Sequence, residues 1–398
     1  MLLENNPYPR DVRVRAEAES LVRAGHHVTV IAPRGAGQAR RERVAGVEVV
    51  RFRCVDGSSR GAAGFVLEYV LAGVMLHLAA VRELMRGATV LHLHNPPDIL
   101  FGAGVLFRLA GRKVIFDHHD LFPETVRAKF GPGPAERVAA LAQRLTFAVA
   151  DHVIATNGSY AEVARSIGGK RPEDVTIVRN APPSAWTRLP LRQREGSLDR
   201  LRLAYVGAIS SQDGVEGLAP ILARICDGAG PLDARLTIVG DGDARPALEQ
   251  ALAEHGVADR VTFTGWVEAG RVPELLMEAD VCVDPTPAID VNERSTMIKM
   301  AEYLALGKPV VAYDLLEAGR TAAGAALLVP RDDVDAFAKA IVALARDPGL
   351  RGRLAVDARR RAQELTWEHS ERALLAAYEA LRMPEGMGAP RISSAVGR

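Results

Sequence analysis

Cysteine is scarce in this sequence: three in 398 residues, Cys54, Cys226 and Cys282, far apart and in no metal-binding spacing. That excludes a disulfide-stapled scaffold and points to a reducing compartment. Net charge is almost absent too, with 50 Lys and Arg against 49 Asp and Glu. A near-neutral chain lacks the electrostatic footprint of a bulk nucleic-acid binder. Long hydrophobic runs are also missing. GFVLEYVLAGVMLHLAAV (64–81) comes nearest, but Glu68 and His77 interrupt a stretch already marginal for crossing a bilayer. It reads as an interfacial helix or, by default, a buried one. No signal-peptide pattern opens the sequence.

What is present is the composition of a globular protein, 48% hydrophobic and 25% charged. The chain is too long for one ordinary core, so two domains of roughly 200 residues are expected. Residues 1–200 hold 28 Lys and Arg against 20 Asp and Glu, and the rest 22 against 29. The N-terminal half is therefore the better candidate for an anionic partner or membrane surface, although solvated surface is the ordinary cause of such a difference.

Short apolar runs alternate with helical patterns. HHVTVIAP (26–33), VEVVRF (47–52), TVLHLH (89–94), KVIFDHHD (113–120), HVIATN (152–157) and VTIVRNAP (175–182) read as strands, and residues 12–25 as a helix closed by Gly25. After the polar stretch 186–200 the alternation restarts with LRLAYVG, ARLTIVGDG, RVTFTGW, ADVCVDPTP, PVVAYD and ALLVP. This predicts an α/β chain of two doubly wound, Rossmann-like parallel-sheet domains, 1–185 and 201–365, with 186–200 as linker. A last helix over 366–382 is expected to pack back toward the N-terminal domain, and the Gly-, Pro- and Ser-rich tail 383–398 to be disordered. MLL is only half of an ordinary strand, so the native chain is expected to begin upstream of Met1.

Open parallel sheets bind ligands at the carboxyl ends of their strands, so the loops there come first. In IVGDGDARPALEQ (238–250), Gly240 and Gly242 stand between strand and helix, where glycine lets backbone approach an anion. A plain tight turn fits the same residues. VNERSTMIKMAEYLALGKPVVAYD (291–314) says more. Ser295 and Thr296 are helix-capping types, Gly307 and Pro309 end the helix, and Lys299 and Glu302 share one helical face. Two readings stand. One is a capped helix with a surface ion pair; the other is a diphosphate site with a carboxylate one turn on for a ribose diol.

These segments carry a resemblance. LAYVGAISSQDGVEGL, LTIVGDGDARPALEQ, VTFTGWVEAGRVPELLMEADVCVDP and KMAEYLALGKPVVAYD resemble, in order and spacing, the nucleotide-binding domain of the family 4 glycosyltransferases, which have the GT-B fold. ENNPYPRDVRVRAEAESLVRAGHHVTVI, VLHLHNPPDILF and VIFDHHDLFPE resemble the N-terminal domain of a bacterial subgroup of that family. The resemblance implies GT-B architecture, two domains facing a central cleft, with a Ser-x-x-x-Lys-x-x-Glu-Tyr variant of the family's paired-glutamate motif.

Residue by residue, it implies that Glu302 fills the place of the second glutamate, which binds the donor ribose. Arg294 stands where many members have the first, so sugar contacts fall to Glu293, to backbone groups or elsewhere. Ser295, Thr296 and Met297 lead into Lys299, which would neutralise the diphosphate. Gly207-Ala208-Ile209 and Asp213-Gly214 replace a Gly-Arg-Leu and Lys-Gly pair, so two cations are missing and weight shifts to Lys299 and Arg294. Gly265, Trp266 and Val267 match the loop that holds the base, for which uracil is the subgroup's habit.

In the N-terminal domain, the loop from Asn5 to Asp11 should face the cleft. Asn6, Arg10, Asp11 and Arg13 are candidates for donor phosphate or acceptor, with a structural ion pair as the alternative. His119 takes the position of the family histidine beside the transferred sugar and is the catalytic candidate; His94 joins the cleft candidates.

IFDHHDLFPE (115–124), with His92 and His94, also resembles a metal cluster. Consecutive strand residues point to opposite faces, so at most half of Asp117, His118, His119 and Asp120 converge, whereas a metal site needs three or more ligands. No metal and no cofactor is the expectation. Asp120 would shape the loop, while Asp117 and His118 would finish the strand and satisfy neighbouring backbone.

The function implied is retaining transfer from a nucleotide-diphosphate sugar, a UDP-sugar first, to a hydroxyl of a glycan, a lipid-linked glycan or a small molecule. The donor is substrate, not cofactor, and no nucleic-acid partner is expected. The apolar 64–81 segment and basic N-terminal half fit a cytoplasmic protein in peripheral contact with the inner membrane face. Two alternatives remain: a sugar-nucleotide epimerase or hydrolase of the same fold, and a non-catalytic nucleotide-sugar-binding subunit, suggested by Arg294, Ala208 and Asp213.

Overall fold

The computed structural model describes residues 1–4, 6–53, 61–227 and 232–381. Asn5, Cys54 and the 383–398 tail lie outside them.

The N-terminal domain runs α1 (Val12–Arg23), β1 (Thr29–Pro33), β2 (Arg41–Val44), β3 (Val47–Phe52), α2 (Gly61–Met85), β4 (Val90–His94) and α3 (Phe101–Leu109). It continues with β5 (Lys113–His118), α4 (Phe122–Phe130), α5 (Pro134–Val149), β6 (His152–Ala155), α6 (Gly158–Ser166) and β7 (Val175–Ile177). Its strands form the rows β1-β3-β2 and β4-β5-β6-β7. Leu2 joins them, bridging Ile31 on one side and Leu93 on the other in parallel. Leu2 N donates to His92 O at 2.9 Å and Leu3 N to Ile31 O at 2.9 Å, so MLL occupies the centre of the sheet. β2 pairs antiparallel with β3 at the edge. RERV, solvated and charged with no period-two pattern, gave no sign of a strand, and charge of this kind is what protects an edge.

Alternation along the central strands builds two cores. Leu91, Leu93, Val114 and Phe116 pack on α2, α3 and α5 through Leu76, Phe107 and Phe147. Val30, Ile115 and Ile154 pack on α1 and on the last helix.

The 64–81 segment is helical within α2, but its default reading as a buried helix fails. Ala72, Leu76 and Ala80 are buried, whereas Leu71, Val74 and Leu78 are exposed, because the sheet covers only one face. Among the described residues no helix is long and apolar enough to cross a membrane.

The C-terminal domain runs β8 (Arg200–Val206), α7 (Leu218–Asp227), β9 (Asp233–Val239), α8 (Arg245–Glu254), β10 (Val261–Gly265), α9 (Val272–Met277) and β11 (Val281–Asp284). It ends with α10 (Asp290–Arg294), α11 (Ile298–Ala305), β12 (Val310–Tyr313), α12 (Leu316–Ala322), β13 (Leu327–Val329), α13 (Val334–Arg346) and α14 (Pro348–Ala362). All six strands are parallel, in the order β10-β9-β8-β11-β12-β13. The order reverses at β8, which opens a crevice at the carboxyl ends of β8 and β11.

Buried cations fasten the 186–200 segment to this domain: Arg351 donates to the carbonyls of Arg194 and Gly196, and Lys308 to that of Arg192. Helix α15 (Trp367–Ala380) returns to the N-terminal domain. There Trp367 Nε1 donates to Ser20 Oγ at 3.1 Å, and the Tyr378 hydroxyl meets His92 Nδ1 at 2.8 Å.

Candidate active site

Three loops meet at the carboxyl ends of β8, β9 and β10. Gly207 N donates to Val239 O, Gly240 N to Gly265 O, and Ile209 N to Asp241 O. A Cβ on Gly240 would strike the Gly207 carbonyl oxygen at 1.9 Å, and one on Gly242 the Ile209 carbonyl oxygen at 2.3 Å. Close backbone packing therefore accounts for Gly240 and Gly242 without a ligand. Trp266 stands exposed beside them, and Val267 packs inward.

Lys299 lies below this surface, in the first turn of α11, only 4% exposed. Its Nζ is 2.6 Å from Asp213 Oδ1, 3.2 Å from the Tyr205 hydroxyl and 3.7 Å from Asp284 Oδ1. Burial alone would lower the ammonium pKa, but Asp284, Tyr205 and Asp213 hold it well above the ordinary lysine value. Lys299, expected to neutralise a diphosphate, is thus already compensated by two carboxylates, Asp213 and Asp284.

The motif before Lys299 also departs from expectation. Ser295 and Thr296 do not cap the helix, which starts at Ile298 after Met297, with no side-chain cap. Their hydroxyls face the other domain. Tyr160 OH meets Ser295 Oγ at 3.1 Å, and Asn157 Nδ2 donates to Thr296 Oγ1 at 2.9 Å and to Arg294 O at 2.8 Å. Glu293 is occupied as well: Oε2 accepts from Leu316 N at the start of α12, and Oε1 lies 2.9 Å from Arg331. This turns Glu293 from a sugar contact into a cap. The Arg294 guanidinium is half exposed, 4.0 Å from Glu124.

Glu302, one turn past Lys299, lines a cavity of about 400 Å³ between the domains. Ile298, Gly270 and Val272 form its C-terminal wall, and Arg13, Arg15 and Glu19 of α1 face them. Burial pushes the Glu302 carboxyl up to about 7, against the smaller pull of Lys299.

In the N-terminal domain Asp11 caps α1, accepting from Arg13 N at 3.1 Å and Val14 N at 3.0 Å. Arg13 lies 3.5 Å from Asp11 and 3.6 Å from Asp117, so the loop-to-helix ion pair exists. Asn6 and Arg10 are exposed on the loop.

β5 ends at His118, and the DHHD quartet divides. His118 turns into an aromatic nest of Phe116, Phe147 and Tyr160. Asp120 Oδ1 accepts from Thr125 Oγ1 in α4. Asp117, expected merely to satisfy backbone, instead joins two rings: Oδ2 meets His94 Nδ1 at 2.8 Å and His119 Nδ1 at 3.1 Å. Asn95 Oδ1 takes the backbone N–H of His119 at 2.9 Å. Among the described residues, Nε2 of His119 has no partner.

Behind this pair, Glu17, His92, His94 and Asp117 bring ligand-type atoms within 4.8 Å of one another, all buried. That set could hold a cation. Burial would raise the Asp117 carboxyl, yet His119 and His94 hold it well below the ordinary value. Burial, and then Asp117, push Glu17 well above its own. A proton on Glu17 thus relieves the repulsion of the two carboxylates.

Comparison with known proteins sets this geometry in a family. Residues 11–181 match the family described as glycosyl transferase 4-like domain, and residues 200–347 that described as glycosyl transferases group 1. The chain belongs to the GT-B glycosyltransferases.

Alpha-D-kanosaminyltransferase of Streptomyces kanamyceticus is 32% identical over 177 residues, 43% of each chain. D-inositol 3-phosphate glycosyltransferase of Stackebrandtia nassauensis is 31% identical over 263 residues, 62% of this chain and 57% of the relative. The matched stretches thus span about half the length of these relatives. Among solved structures, sucrose-phosphate synthase of Thermosynechococcus elongatus superposes with TM-score 0.71 at 20% identity, covering 96% of this chain and 98% of that one. HepE of Anabaena, in complex with UDP and glucose, gives 0.70 at 17% identity, covering 95% and 99%.

In this GT-B glycosyltransferase the sequence reading passed over Asn95, Asn157, Tyr160 and Asp284. Each follows or ends a parallel strand or opens the next helix, so the strand-end rule that selected the glycine loops would also have reached them.

Proposed function

We propose that the chain is a retaining glycosyltransferase that moves a sugar from a nucleotide diphosphate to an acceptor hydroxyl. The observation that supports it best is the cavity of about 400 Å³ in which Glu302 of one domain faces α1 of the other. Glu302 accepts the ribose diol, and the base lies by Gly265, Trp266 and Val267. The diphosphate lies over the Gly207 loop at the N-terminus of α11, where unsatisfied N–H groups favour an anion. Arg13 and Arg294 supply charge, and Lys299 exchanges Asp213 for phosphate. No metal takes part in this step.

The bond between the anomeric carbon and the diphosphate oxygen breaks as the acceptor oxygen bonds to that carbon from the same face. A diphosphate oxygen takes the acceptor proton. His119, its Nδ1 held by Asp117, offers Nε2 to the transferred sugar. The relative named for D-inositol 3-phosphate glycosyl transfer favours a cyclic polyol, free or within a glycan or lipid-linked glycan, as acceptor. The UDP bound to HepE makes UDP the first nucleotide to test. A cytoplasmic protein touching a membrane through its N-terminal domain completes the reading. Calorimetry with UDP and UDP-sugars, followed by product analysis with polyol acceptors, tests it.

One observation favours a second reading. Lys299, neutralised by Asp213 and Asp284, would suit a subunit that binds nucleotide sugar without turning it over. Tight UDP-sugar binding without nucleotide release would establish it.

A further inference from the structure

We propose that Asn157 is a positioning residue for sugar transfer: from the end of β6 it holds the 294–296 segment of the other domain and so sets His119 against the donor loop. Its effect on turnover rests on the transferase reading; the contact between the domains does not. Asn157 is buried and bonds in two directions. Its Oδ1 accepts from Tyr160 N at 2.8 Å and caps α6, while Nδ2 donates to Arg294 O at 2.8 Å and to Thr296 Oγ1 at 2.9 Å. A cap needs only the oxygen, which Asp or Ser supplies equally well. The amide donor serves the other domain.

Neighbouring residues close the seam. Ser159, the second residue of α6, donates from N at 3.3 Å and from Oγ at 2.7 Å to Glu317 Oε1 of α12. Glu317 is fully buried and takes Thr296 Oγ1 on its other oxygen at 3.4 Å. A carboxylate of the C-terminal domain thus lies at the positive end of a helix in the N-terminal domain. Arg320 donates to both Ser159 Oγ and Glu317 Oε1. Ser295 Oγ gives its proton to Val291 O, which leaves the Tyr160 hydroxyl as the donor in their 3.1 Å contact. The ion pairs at the rim, Arg127 with Asp290 and Arg294 with Glu124, are partly exposed and contribute little beside these bonds.

The two ends of the seam lead to the two halves of the site. β5 and β6 pair in parallel with His118 opposite Ala155, so His119 and Asn157 follow adjacent strand ends of one sheet. On the other side, Thr296 is three residues from Lys299, and α11 is fixed in the C-terminal core by Met300, Ala301 and Leu304. One buried amide therefore ties the strand row that carries the histidine to the N-terminus of α11. A small displacement there moves the ring from the sugar, and a reacting centre is sensitive to such shifts. Glu302 and the Gly265 to Val267 loop belong to the C-terminal domain alone, so nucleotide binding does not need the seam.

The test compares Asn157→Asp and Asn157→Ser with wild type by kinetics with UDP-glucose, UDP-galactose and UDP-N-acetylglucosamine, by calorimetry with UDP and by melting. Both substitutions keep an oxygen for the cap and remove the amide donor; aspartate also sets a carboxylate against the Arg294 carbonyl. Turnover should fall about tenfold or more, the scale of a buried polar group left unpaired, at unchanged Kd for UDP. It is counted per folded molecule, so early melting leaves the comparison intact. Thr296→Val should cost less turnover in the Asn157→Asp background than in wild type, because the two residues share one contact.

Wild-type turnover in either variant, a fall in UDP affinity as large as the fall in turnover, or additive effects of the two substitutions would overturn the proposal. A wild type that releases no UDP fails the transferase reading instead. Faster hydrogen exchange over residues 291–300 in the variants then keeps the seam, and unchanged exchange overturns it too.

Discussion

Asp117 holds His119 by its Nδ1 at 3.1 Å, which leaves Nε2 as the free nitrogen of the ring. The same Asp117 oxygen takes His94 Nδ1 at 2.8 Å, so one buried carboxylate sets two imidazoles. Asp117→Asn keeps the size but replaces one acceptor oxygen with a donor. Turnover should fall by roughly tenfold to a hundredfold, as small misplacements at a reacting centre do, while UDP affinity stays unchanged. Equal loss of affinity and turnover would mean a general collapse of the site.

The Lys299–Asp213 pair, 2.6 Å apart, makes a prediction of opposite sign for its two members. Asp213→Asn frees the ammonium and should tighten UDP binding by about tenfold, the worth of one charge-assisted hydrogen bond. Lys299→Ala should weaken it, and it also leaves Asp213 and Asp284 uncompensated. The Kd from calorimetry must therefore be read beside the melting midpoint.

Glu302 gives the pH dependence. Its carboxyl, pushed up by burial to about 7, accepts hydrogen bonds through both oxygens only when ionised. UDP affinity should therefore rise with pH through about 7 and level above it, and Glu302→Gln should abolish that step, separating it from titration of the nucleotide. Stability runs the other way. A carboxyl raised in the folded state contributes fully below its unfolded pKa of about 4.5, and that contribution is lost as pH rises to about 7.

The Glu17, His92, His94 and Asp117 group yields a metal test. With Glu17 protonated beside an ionised Asp117, the site needs no cation. Elemental analysis of purified protein should show no stoichiometric metal, and activity should survive prolonged EDTA. Stoichiometric zinc or manganese, with activity lost on its removal, would replace the proton by a metal.

Most strands of both sheets were legible because buried parallel strands leave near-continuous apolar runs bounded by turn residues. β2 was not, since RERV sits solvated at an edge. The strand-end loops pointed to the glycines and to α11. What they could not show was pairing across sequence distance: Lys299 with Asp213 and Asp284, Asn157 with Thr296, Asp117 with His94. Such contacts depend on how loops from different strands face one another, which no local pattern encodes. Glu293 illustrates the same limit, because its place as the cap of α12 rests on Leu316 and Arg331, both distant from it in sequence.

Nucleotide release tests the central claim most directly. Wild type and His119→Ala are incubated with UDP-glucose, UDP-galactose and UDP-N-acetylglucosamine, with and without a polyol acceptor, and free UDP and product are followed by mass spectrometry. The account predicts UDP release and a retained glycoside from wild type with at least one donor. In His119→Ala, release should fall by about a hundredfold, the scale of one positioned side chain in a transition state, at unchanged UDP affinity. Tight donor binding with no release from wild type, or equal release from His119→Ala, would contradict it.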